Sequence, residues 1–513
     1  MYCRKINMLS IRVSLLMAAI AGLSVSSNAQ TKQVRLNINP AKTYQTIDNF
    51  GASDAWSCQF VGNWPDDKKN KIADLLFSNE NNADGSPKGI GLSMWRFNIG
   101  AGSAEQGTGS GIRDEWRRAE SFLNNDGTYN WQKQAGQVWF LKAAKKRRVS
   151  QFLGFTNSPP VQFTTNGKAY ASKGNVNITP EHYDDFARYL ARVVKGVEQV
   201  SKVRLNYISP VNEPQWDWSD GGQEGCPYTN VEIAGVVKAI DKAFVADGIR
   251  SKVIIGEAGE ISYLYTKSNK PAKGYQINDF FGPMSPNYLG NLAQVAHTIT
   301  AHSYFTTSPM AASVKARSAL ADSVAKINGL NFWQSEYCIL GGNAGEINGG
   351  HRDLGMDAAL YMASVINTDL TVANASAWQW WTAISAYDYK DGLIYIDKNK
   401  TDGNFYTSKM LWVLGNYSRF IKPGANRIDV TLPSDNLKNP LQVSAFKNNK
   451  DVTLVIINPN TEDVDVTLTN NAKVKFITSY STSATDELKP AAINSADIVV
   501  KARSVMTVLA KLK

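Results

Sequence analysis

The stretch Leu205-Asn206-Tyr207-Ile208-Ser209-Pro210-Val211-Asn212-Glu213-Pro214 joins a short β-prone apolar run to a glutamate at its end. The stretch Asn331-Phe332-Trp333-Gln334-Ser335-Glu336 repeats the arrangement further along the chain. Strands that end on a carboxylate suit a parallel barrel, because the chemistry of such barrels is built at the carboxyl ends of the strands. The two stretches are therefore predicted to be strands of one parallel α/β domain.

The remaining segments support this prediction, because strand-like and helix-like segments alternate from about residue 45 to 415. The clearest helix begins at Thr179-Pro180, a cap residue followed by proline at the first helical position. Eight units predict a (β/α)8 barrel; a doubly wound open sheet is the alternative, but no Gly-rich phosphate loop follows the first strand. The predicted strands are Thr46–Ala52, Ile90–Ile99, Gln151–Phe155, Val203–Pro210, Lys252–Gly256, Thr298–Tyr304, Asn331–Gln334 and Ala373–Trp380.

The pattern changes after about Leu414, where short alternating runs separated by Asn, Pro, Asp and Ser predict an antiparallel β-sandwich. Residues 31–38 also alternate and are predicted to pair with this sandwich. All 13 tryptophans lie between Trp56 and Trp412, so we expect the sandwich to support the barrel rather than to bind sugar. The predicted division is a signal peptide at 1–29, an N-terminal strand at 30–44, the barrel at 45–414 and the sandwich at 415–513.

The first 29 residues have the pattern of an export signal, with a basic start, a short apolar run and small residues at the end. We expect cleavage near Ala29 and a secreted protein, periplasmic or extracellular. The apolar run is too short to span a bilayer, and no later segment reaches about 18 apolar residues, so no transmembrane helix is predicted. The residues that carry the pattern are Arg4, Lys5, Arg12, Leu15 to Leu23 and Ser27-Asn28-Ala29.

Charge and cysteine content argue against several other classes of protein. The net charge of +10 is spread along the chain, and the cluster at residues 145–148 ends a predicted helix, where cations suit the helix dipole, so nucleic-acid binding is not expected. Cys58, Cys226 and Cys338 show no zinc-type spacing, and no metal or organic cofactor is expected. Cys58 and Cys226 could pair in an exported protein, which the sequence leaves open. We expect a monomer.

Glu213 and Glu336 close the predicted strands four and seven. A single loop glutamate is usually only solvated, but two carboxylates at the same end of one barrel fit a specific chemistry. Hydrolysis of a glycosidic bond needs a carboxylic acid to protonate the leaving oxygen and a second carboxylate to attack or to activate water. The pair predicts a glycosidase.

The chain resembles glycoside hydrolase family 30, within the clan A retaining glycosidases. The resemblance implies a barrel joined to a β-sandwich built from both chain ends, with Glu213 as general acid/base and Glu336 as nucleophile. It also implies that Asn212 reaches the 2-hydroxyl of the sugar, and that a polysaccharide or oligosaccharide is the substrate. The segments that carry it are Ile47-Asp48-Asn49-Phe50-Gly51-Ala52-Ser53, Arg96-Phe97-Asn98-Ile99-Gly100, Asn157-Ser158-Pro159-Pro160, Asn212-Glu213-Pro214-Gln215-Trp216, Ala301-His302-Ser303-Tyr304, Trp333-Gln334-Ser335-Glu336-Tyr337 and Leu414-Gly415-Asn416-Tyr417-Ser418-Arg419-Phe420-Ile421-Lys422-Pro423-Gly424.

Polar residues at other strand ends are further candidates. Arg96, at the end of strand two, is predicted to orient Glu336; a salt bridge at the barrel mouth is the alternative. His302 and Tyr304 end strand six and are expected at the nucleophile or the sugar, although His302 could be a core histidine. Glu257, after strand five, lines the cleft or supports it.

Aromatic and amide side chains complete the candidate substrate-binding set. One of Trp378 and Trp380 is expected to form the floor of the sugar site at the cleavage point. Trp216, in the loop after Glu213, is expected in an outer subsite together with the loop at residues 221–228. Asn157 could bind substrate or cap the turn before Pro159.

Two loops suggest the substrate. Residues 156–167 and 212–228 resemble the endo-β-1,6-galactanase subgroup of the family, which implies cleavage of β-1,6-linked galactan, as in arabinogalactan side chains, by double displacement. A glucuronoxylanase, another xylanase or a β-1,6-glucanase is the alternative within the family. Outside the enzymes, a non-catalytic glycan-binding protein is the alternative, but both glutamates are present.

Overall fold

The computed structural model describes residues 33–432, 437–470 and 474–513. The predicted signal peptide and its cleavage site near Ala29 lie outside these ranges. Within them, none of the helices combines the length and the apolar character that crossing a bilayer requires.

A closed parallel barrel follows the first strand, β1 (Gln33–Thr46), and confirms the predicted fold class. The fourth barrel strand is only three residues long, because Pro210 lacks the N–H that would continue the ladder. The seventh barrel strand runs three residues further than predicted and includes Glu336. The eight barrel strands, in chain order, are β2 (Asn49–Ser53), β3 (Met94–Asn98), β4 (Gln151–Phe155), β5 (Tyr207–Ser209), β6 (Lys252–Ala258), β7 (Val295–His302), β8 (Asn331–Tyr337) and β9 (Ala377–Trp380).

Helices surround the barrel and bury one face against it. In the helix predicted to start at Thr179-Pro180, a short 3-10 turn comes first and the α-helix begins at Tyr183. The next helix begins with a capping box, in which Thr229 and Glu232 bind each other's backbone N–H groups. The helices are α1 (Cys58–Val61), α2 (Asp66–Phe77), α3 (Ser103–Gln106), α4 (Ala135–Lys146), α5 (Tyr183–Ser201), α6 (Asn230–Ala246), α7 (Ser262–Tyr265), α8 (Gln276–Phe281), α9 (Met310–Ala325), α10 (Met356–Thr371) and α11 (Lys409–Ser418).

A small three-stranded sheet and a large nine-stranded sheet follow the last barrel strand. The large sheet has the order β18-β17-β20-β15-β14-β13-β1-β16-β19 and is antiparallel except where β1 runs parallel to β16. The predicted pairing of the N-terminal strand is confirmed, and β1 lies inside the sheet rather than at its edge. The strands are β10 (Ile384–Ser385), β11 (Ile394–Ile396), β12 (Phe405–Thr407), β13 (Asn426–Thr431), β14 (Gln442–Asn448), β15 (Asp451–Asn458), β16 (Val464–Asn470), β17 (Val474–Thr482), β18 (Lys489–Ala492), β19 (Asp497–Val500) and β20 (Ser504–Leu512).

Strand alternation gives the nine-stranded sheet two different apolar faces. Val34, Leu36 and Ile38 of β1 pack with Ile456 and its neighbours in a core that belongs to the sheet alone. Val455 and its neighbours on the opposite face join the core of the barrel, and α10 and α11 are the helices in contact. Because successive strand residues point to opposite faces, one strand serves both cores.

Cys58, Cys226 and Cys338 are buried free thiols. The pairing of Cys58 with Cys226 that the sequence left open is therefore not formed in this structure.

Candidate active site

A cavity of about 520 Å³ opens at the carboxyl end of the barrel and contains both glutamates of the candidate pair. Aromatic side chains form much of its wall, which is the composition of sites that stack against sugar rings. The lining residues are Trp56, Arg117, Asn212, Glu213, Trp216, Trp218, Gln223, Tyr304, Phe305, Glu336, Cys338, Ile339, Leu340, Trp381, Tyr389 and Asp391.

The carboxylates of Glu213 and Glu336 face each other across the floor of this cavity. One oxygen of each, together with a ring nitrogen of His302, lies within 4.8 Å of the others. Such a trio could ligate a metal, but Glu213 already shares a hydrogen bond with His302, and Glu336 already accepts one from Arg96. The arrangement therefore favours hydrogen-bonded carboxyl groups over cation ligands.

Glu213 sits on strained backbone just after β5. Its φ of +44° lies in the left-handed region, which is costly for a residue with a side chain. Tertiary contacts hold this conformation: its N–H donates to the carbonyl of Glu257 at 2.8 Å, and its carbonyl accepts from the Trp218 indole at 3.0 Å. These bonds aim the Glu213 side chain into the barrel mouth.

Arg96, on β3, lies beside Glu336. Its Nη1 donates to Glu336 Oε2, and its Nη2 donates to Asn212 Oδ1 at 2.9 Å. The guanidinium also stacks on the Phe155 ring, 3.8 Å from the ring centroid. Because Arg96 is fully buried, its charge is balanced by carboxylates rather than by water.

Tyr304 contacts Glu336 directly, and Asn212 contacts the Arg96 guanidinium that also binds Glu336. The Tyr304 hydroxyl donates to Glu336 Oε1 at 3.1 Å, and Asn212 is held by Arg96 as described. The structure therefore brings six of the predicted residues into one network, namely Arg96, Asn212, Glu213, His302, Tyr304 and Glu336.

His302, at the end of β7, is completely buried between two carboxylates. Its Nδ1 lies 2.9 Å from Glu213 Oε1, and its Nε2 lies 2.9 Å from Glu257 Oε2. Burial by itself would lower the pKa of His302, but the charge of Glu336 and the bonds to Glu213 and Glu257 raise it to about 10. These contacts favour the imidazolium form of His302.

The two carboxylates that bind His302 have pKa values shifted in opposite directions. Burial raises the pKa of Glu213, and the nearby charge of Glu336 raises it further against the opposing effect of His302. Burial also acts to raise the pKa of Glu257, but the His302 hydrogen bond and the charge of Arg96 outweigh it and lower the pKa. Glu213 is thus suited to hold a proton, and Glu257 to stay ionised.

Trp216, predicted in an outer subsite, lies at the cavity wall on the Glu213 side. Its ring meets the Phe305 ring edge-on, with 6.1 Å between the centroids. Trp218 and Gln223 follow it in the same loop and also line the cavity. Phe305 is 56% exposed, so a large apolar surface faces solvent at this side of the mouth.

Trp378 and Trp380, predicted at the floor of the sugar site, are not among the residues that line the cavity, and their role stays a prediction. Alternation does place them on one face of β9. Both are less than 2% exposed, and the Trp378 indole donates to Asp369 of α10 at 2.9 Å. Trp381, the next residue after β9, lines the cavity instead.

Asn157 is buried near the end of β4, but it is not among the residues that line the cavity. Among the described residues, neither its amide nitrogen nor its amide oxygen has a hydrogen-bond partner. The structure thus does not bring Asn157 to the cavity wall, and its role stays a prediction.

Several lining residues were not predicted from the sequence. Trp56 follows the first barrel strand, and a position just after a barrel strand predicts a place at the mouth of the barrel, so this residue could have been found in the same way as the others. Arg117 lies in the long loop after β3 and stacks near Trp56, 5.3 Å from its ring centroid. Tyr389 and Asp391 come from the segment between β10 and β11. No motif in these two loops indicated their approach to the mouth.

A parallel barrel with two close, buried carboxylates at its carboxyl end and an aromatic-walled cavity defines a carbohydrate-hydrolysing class of enzyme. The model of O-glycosyl hydrolase family 30 matches residues 33–395, and this chain belongs to that family and is a glycoside hydrolase.

Individual relatives extend this result. The chain is 23% identical over 421 residues to an endo-β-1,6-galactanase of Hypocrea rufa, covering 78% of each chain. A conserved exported protein of Bacteroides fragilis has the same fold, with a TM-score of 0.85 and 34% identity over 92% of this chain and 99% of the other. The catalytic domain of a GH30 xylanase C of Talaromyces cellulolyticus shares the fold at 21% identity, with a TM-score of 0.68 over 93% and 100% of the two chains.

Proposed function

We propose that this enzyme hydrolyses β-1,6-linked galactan with retention of configuration, using Glu336 as nucleophile and Glu213 as general acid/base. The observation that carries the proposal is the approach of the two carboxylates, whose nearest oxygens lie within 4.8 Å of each other. Retaining enzymes hold their carboxyl groups about 5–5.5 Å apart, whereas inverting enzymes need about 6.5–9.5 Å to admit a water.

The first half of the reaction uses the two glutamates in different protonation states. Glu336, paired with Arg96 and Tyr304, is the carboxylate that attacks the anomeric carbon. Glu213, whose pKa is raised, gives its proton to the leaving sugar oxygen as the glycosidic bond breaks. Asn212, oriented by Arg96, is placed to bind the 2-hydroxyl of the sugar.

The second half releases the sugar from Glu336. Once Glu336 is esterified, the negative charge that raised the pKa of Glu213 is gone. Glu213 then takes a proton from water, and the resulting hydroxide equivalent attacks the anomeric carbon and restores the Glu336 carboxylate. Trp381, which lines the cavity, supplies an aromatic surface beside the sugar.

The choice of galactan rests on the relative from Hypocrea rufa, which carries that activity, and on the loops at residues 156–167 and 212–228. Xylan and β-1,6-glucan are the alternatives. The experiment is to incubate the protein with β-1,6-galactan, glucuronoxylan and β-1,6-glucan and to identify the products. Oligosaccharides from galactan are expected; cleavage of xylan alone would reject the galactan assignment.

Proton NMR of the first product should show the β-anomer, and an α-anomer would reject the two-step mechanism.

We also propose that the protein is exported as a monomer after cleavage near Ala29, with the barrel from about residue 45 to 414. Support comes from the pattern of the first 29 residues and from the relative described as an exported protein. Sequencing the N-terminus of the protein recovered outside the cytoplasm should give Gln30 as the first residue, and an intact Met1 would contradict export.

A further inference from the structure

A third carboxylate, that of Glu257 on β6, is buried behind the candidate pair and does not line the cavity. It accepts three hydrogen bonds: His302 Nε2 at 2.9 Å and Ser335 Oγ at 2.6 Å bind Oε2, and Ser209 Oγ at 3.1 Å binds Oε1. Three donors around one carboxyl group fit an ionised glutamate, which acts only as an acceptor. Arg96 adds a second cation, with Nη2 at 3.9 Å from Oε2.

His302 is held in an equally restrictive way. A neutral imidazole has one N–H and one lone pair, so it donates at one nitrogen only. Both ring nitrogens of His302 lie 2.9 Å from carboxylate oxygens, one from Glu213 and one from Glu257. A ring that donates from both nitrogens satisfies both contacts, whereas a neutral ring that donates to Glu257 satisfies the Glu213 contact only by accepting the proton of Glu213.

We propose that Glu257 is a positioning residue, a permanent counter-ion that keeps His302 a donor at both nitrogens and thereby confines the acidic proton of Glu213 to Oε2. The inference rests on the proposed function of Glu213. It extends that function by assigning the proton to one oxygen and by giving a role to a carboxylate that the reaction does not consume.

The direction of the His302–Glu213 hydrogen bond decides where the proton of Glu213 resides. While Nδ1 donates, Glu213 Oε1 accepts, and the proton that Glu213 transfers to the substrate sits on Oε2. If His302 were neutral with its hydrogen on Nε2, its Nδ1 lone pair would accept a hydrogen bond from Glu213. The proton would then rest on Oε1, directed at the imidazole and away from the glycosidic oxygen.

The charges also balance through the reaction. Before the first step the buried cations are Arg96 and His302, and the buried anions are Glu257 and Glu336. Glu336 then bonds to the anomeric carbon, the glycosidic bond breaks, and the proton of Glu213 goes to the leaving oxygen. Glu213 becomes the second anion as Glu336 loses its charge, so the net charge of the cluster is zero in both states. Without Glu257 the same buried cluster would carry +1 in both states, which is costly in a site of low dielectric.

The titratable groups that face His302 and Glu257 from the neighbouring strands are Arg96, Glu213, Tyr304 and Glu336. Removing the charge of Glu257 leaves the other charged groups in place and weakens the hold on the His302 proton. The pKa of His302 therefore falls, and the donor at Nδ1 is lost as the pH rises through this lower value.

The first test follows the histidine itself. The full chain contains four histidines, all within the described ranges, and 15N labelling reports whether each ring nitrogen carries a proton. In the wild-type enzyme, one histidine should stay doubly protonated from about pH 5 to 8.5, well above the ordinary pKa of about 6.5. The His302→Gln variant identifies its signal. A His302 signal that titrates near the ordinary value would overturn the proposal, whether or not any variant folds.

The second test compares pH profiles of kcat/KM on β-1,6-galactan oligosaccharides. In Glu257→Gln the alkaline limb should move down by about one pH unit, and His302 should titrate within the NMR window. Glu257→Asp, which keeps the charge, should hold the wild-type limb. The matched control is Glu224→Gln, a buried glutamate bonded to Ser103 and Ala101, which should not move the limb. Equal loss at every pH in Glu257→Gln would mean a merely structural role and would overturn the proposal. An inactive wild type would reject the proposed function, while the NMR result would still stand.

Discussion

The barrel mouth and the nine-stranded sheet bury different kinds of side chain. At the barrel mouth, Arg96, Glu257, His302 and Glu336 are each less than 5% exposed, so charged groups replace an apolar filling. The core that belongs to the sheet alone is built around a cluster of apolar side chains, such as Leu454 and Ile456. The ion pairs of the sheet, for example Lys501 with Asp463, lie at its surface. One part of this chain is therefore built for reactivity and the other for stability.

The largest effect is expected from Glu336→Gln. The amide is not a nucleophile, so kcat should fall by about 10⁴-fold or more, while the fold is retained because the shape of the side chain is unchanged. Hydrolysis of β-1,6-galactan by the purified variant checks this result, and circular dichroism checks its fold. Activity close to that of the wild type would show that Glu336 is not the nucleophile. It would also contradict the view that the barrel mouth is the reactive region and the nine-stranded sheet the stabilising one.

A cavity in the core of the sheet should have the reverse effect. Ile456 is fully buried in this core, and Ile456→Ala should lower the free energy of unfolding by about 2–5 kcal/mol. The kcat at a temperature where the variant is still folded should stay at the wild-type value. Denaturant titration gives the first quantity. The control is Val499→Ala, at a residue 44% exposed on β19, which should cost little stability. A large loss of kcat in Ile456→Ala would show that the sheet shapes the active site.

Trp381 and Trp378 lie at the end of one strand, but we expect Trp381 to serve activity and Trp378 to serve stability. Trp381→Ala removes an aromatic wall of the cavity and should lower kcat/KM by about 10–100-fold. Trp378→Phe deletes the indole hydrogen bond to Asp369 and should cost about 1–2 kcal/mol of stability with KM unchanged. Steady-state kinetics and thermal unfolding of both variants give the answer. If the two effects are exchanged, Trp378 faces the sugar after all.

The smallest effect is expected from the surface pair between Lys501 and Asp463. Their charged atoms are 2.8 Å apart, but the lysine side chain is 59% exposed. Lys501→Met should change the free energy of unfolding by less than about 1 kcal/mol. Denaturant titration at low and high salt checks this value. A larger, salt-resistant loss would show that the sheet also depends on its charges.

The sequence was sufficient to predict elements that repeat or that end strands. The eight barrel strands alternate with helices. The ends of these strands lie at one mouth of the barrel, so the positions of Glu213, Glu336 and Arg96 at strand ends predicted that they share one site. Alternation also revealed that β1 belongs with the C-terminal strands. These features depend on local pattern and on the rule that parallel strands share one functional end.

What the sequence did not indicate depends on three-dimensional direction. Alternation predicts that Trp378 and Trp380 share a face, but not which way that face points, so it did not indicate that Trp381 lines the cavity. Arg117 and Asp391 reach the cavity through long loops, whose paths have no periodicity to read. The contact of His302 with Glu257 joins two strands whose register shifts irregularly, and no spacing along the chain predicts it.

The position of β1 between β13 and β16 has a consequence for how the chain reaches its folded state. Gln33 contacts Thr467, a partner 434 residues away. The N-terminal strand therefore cannot pair with β16 until most of the chain has been synthesised. Closing so long a loop before any pairing is gained slows folding. Under the proposed export, in which the chain crosses a membrane unfolded, such a delay would keep the two ends apart until the last part has arrived.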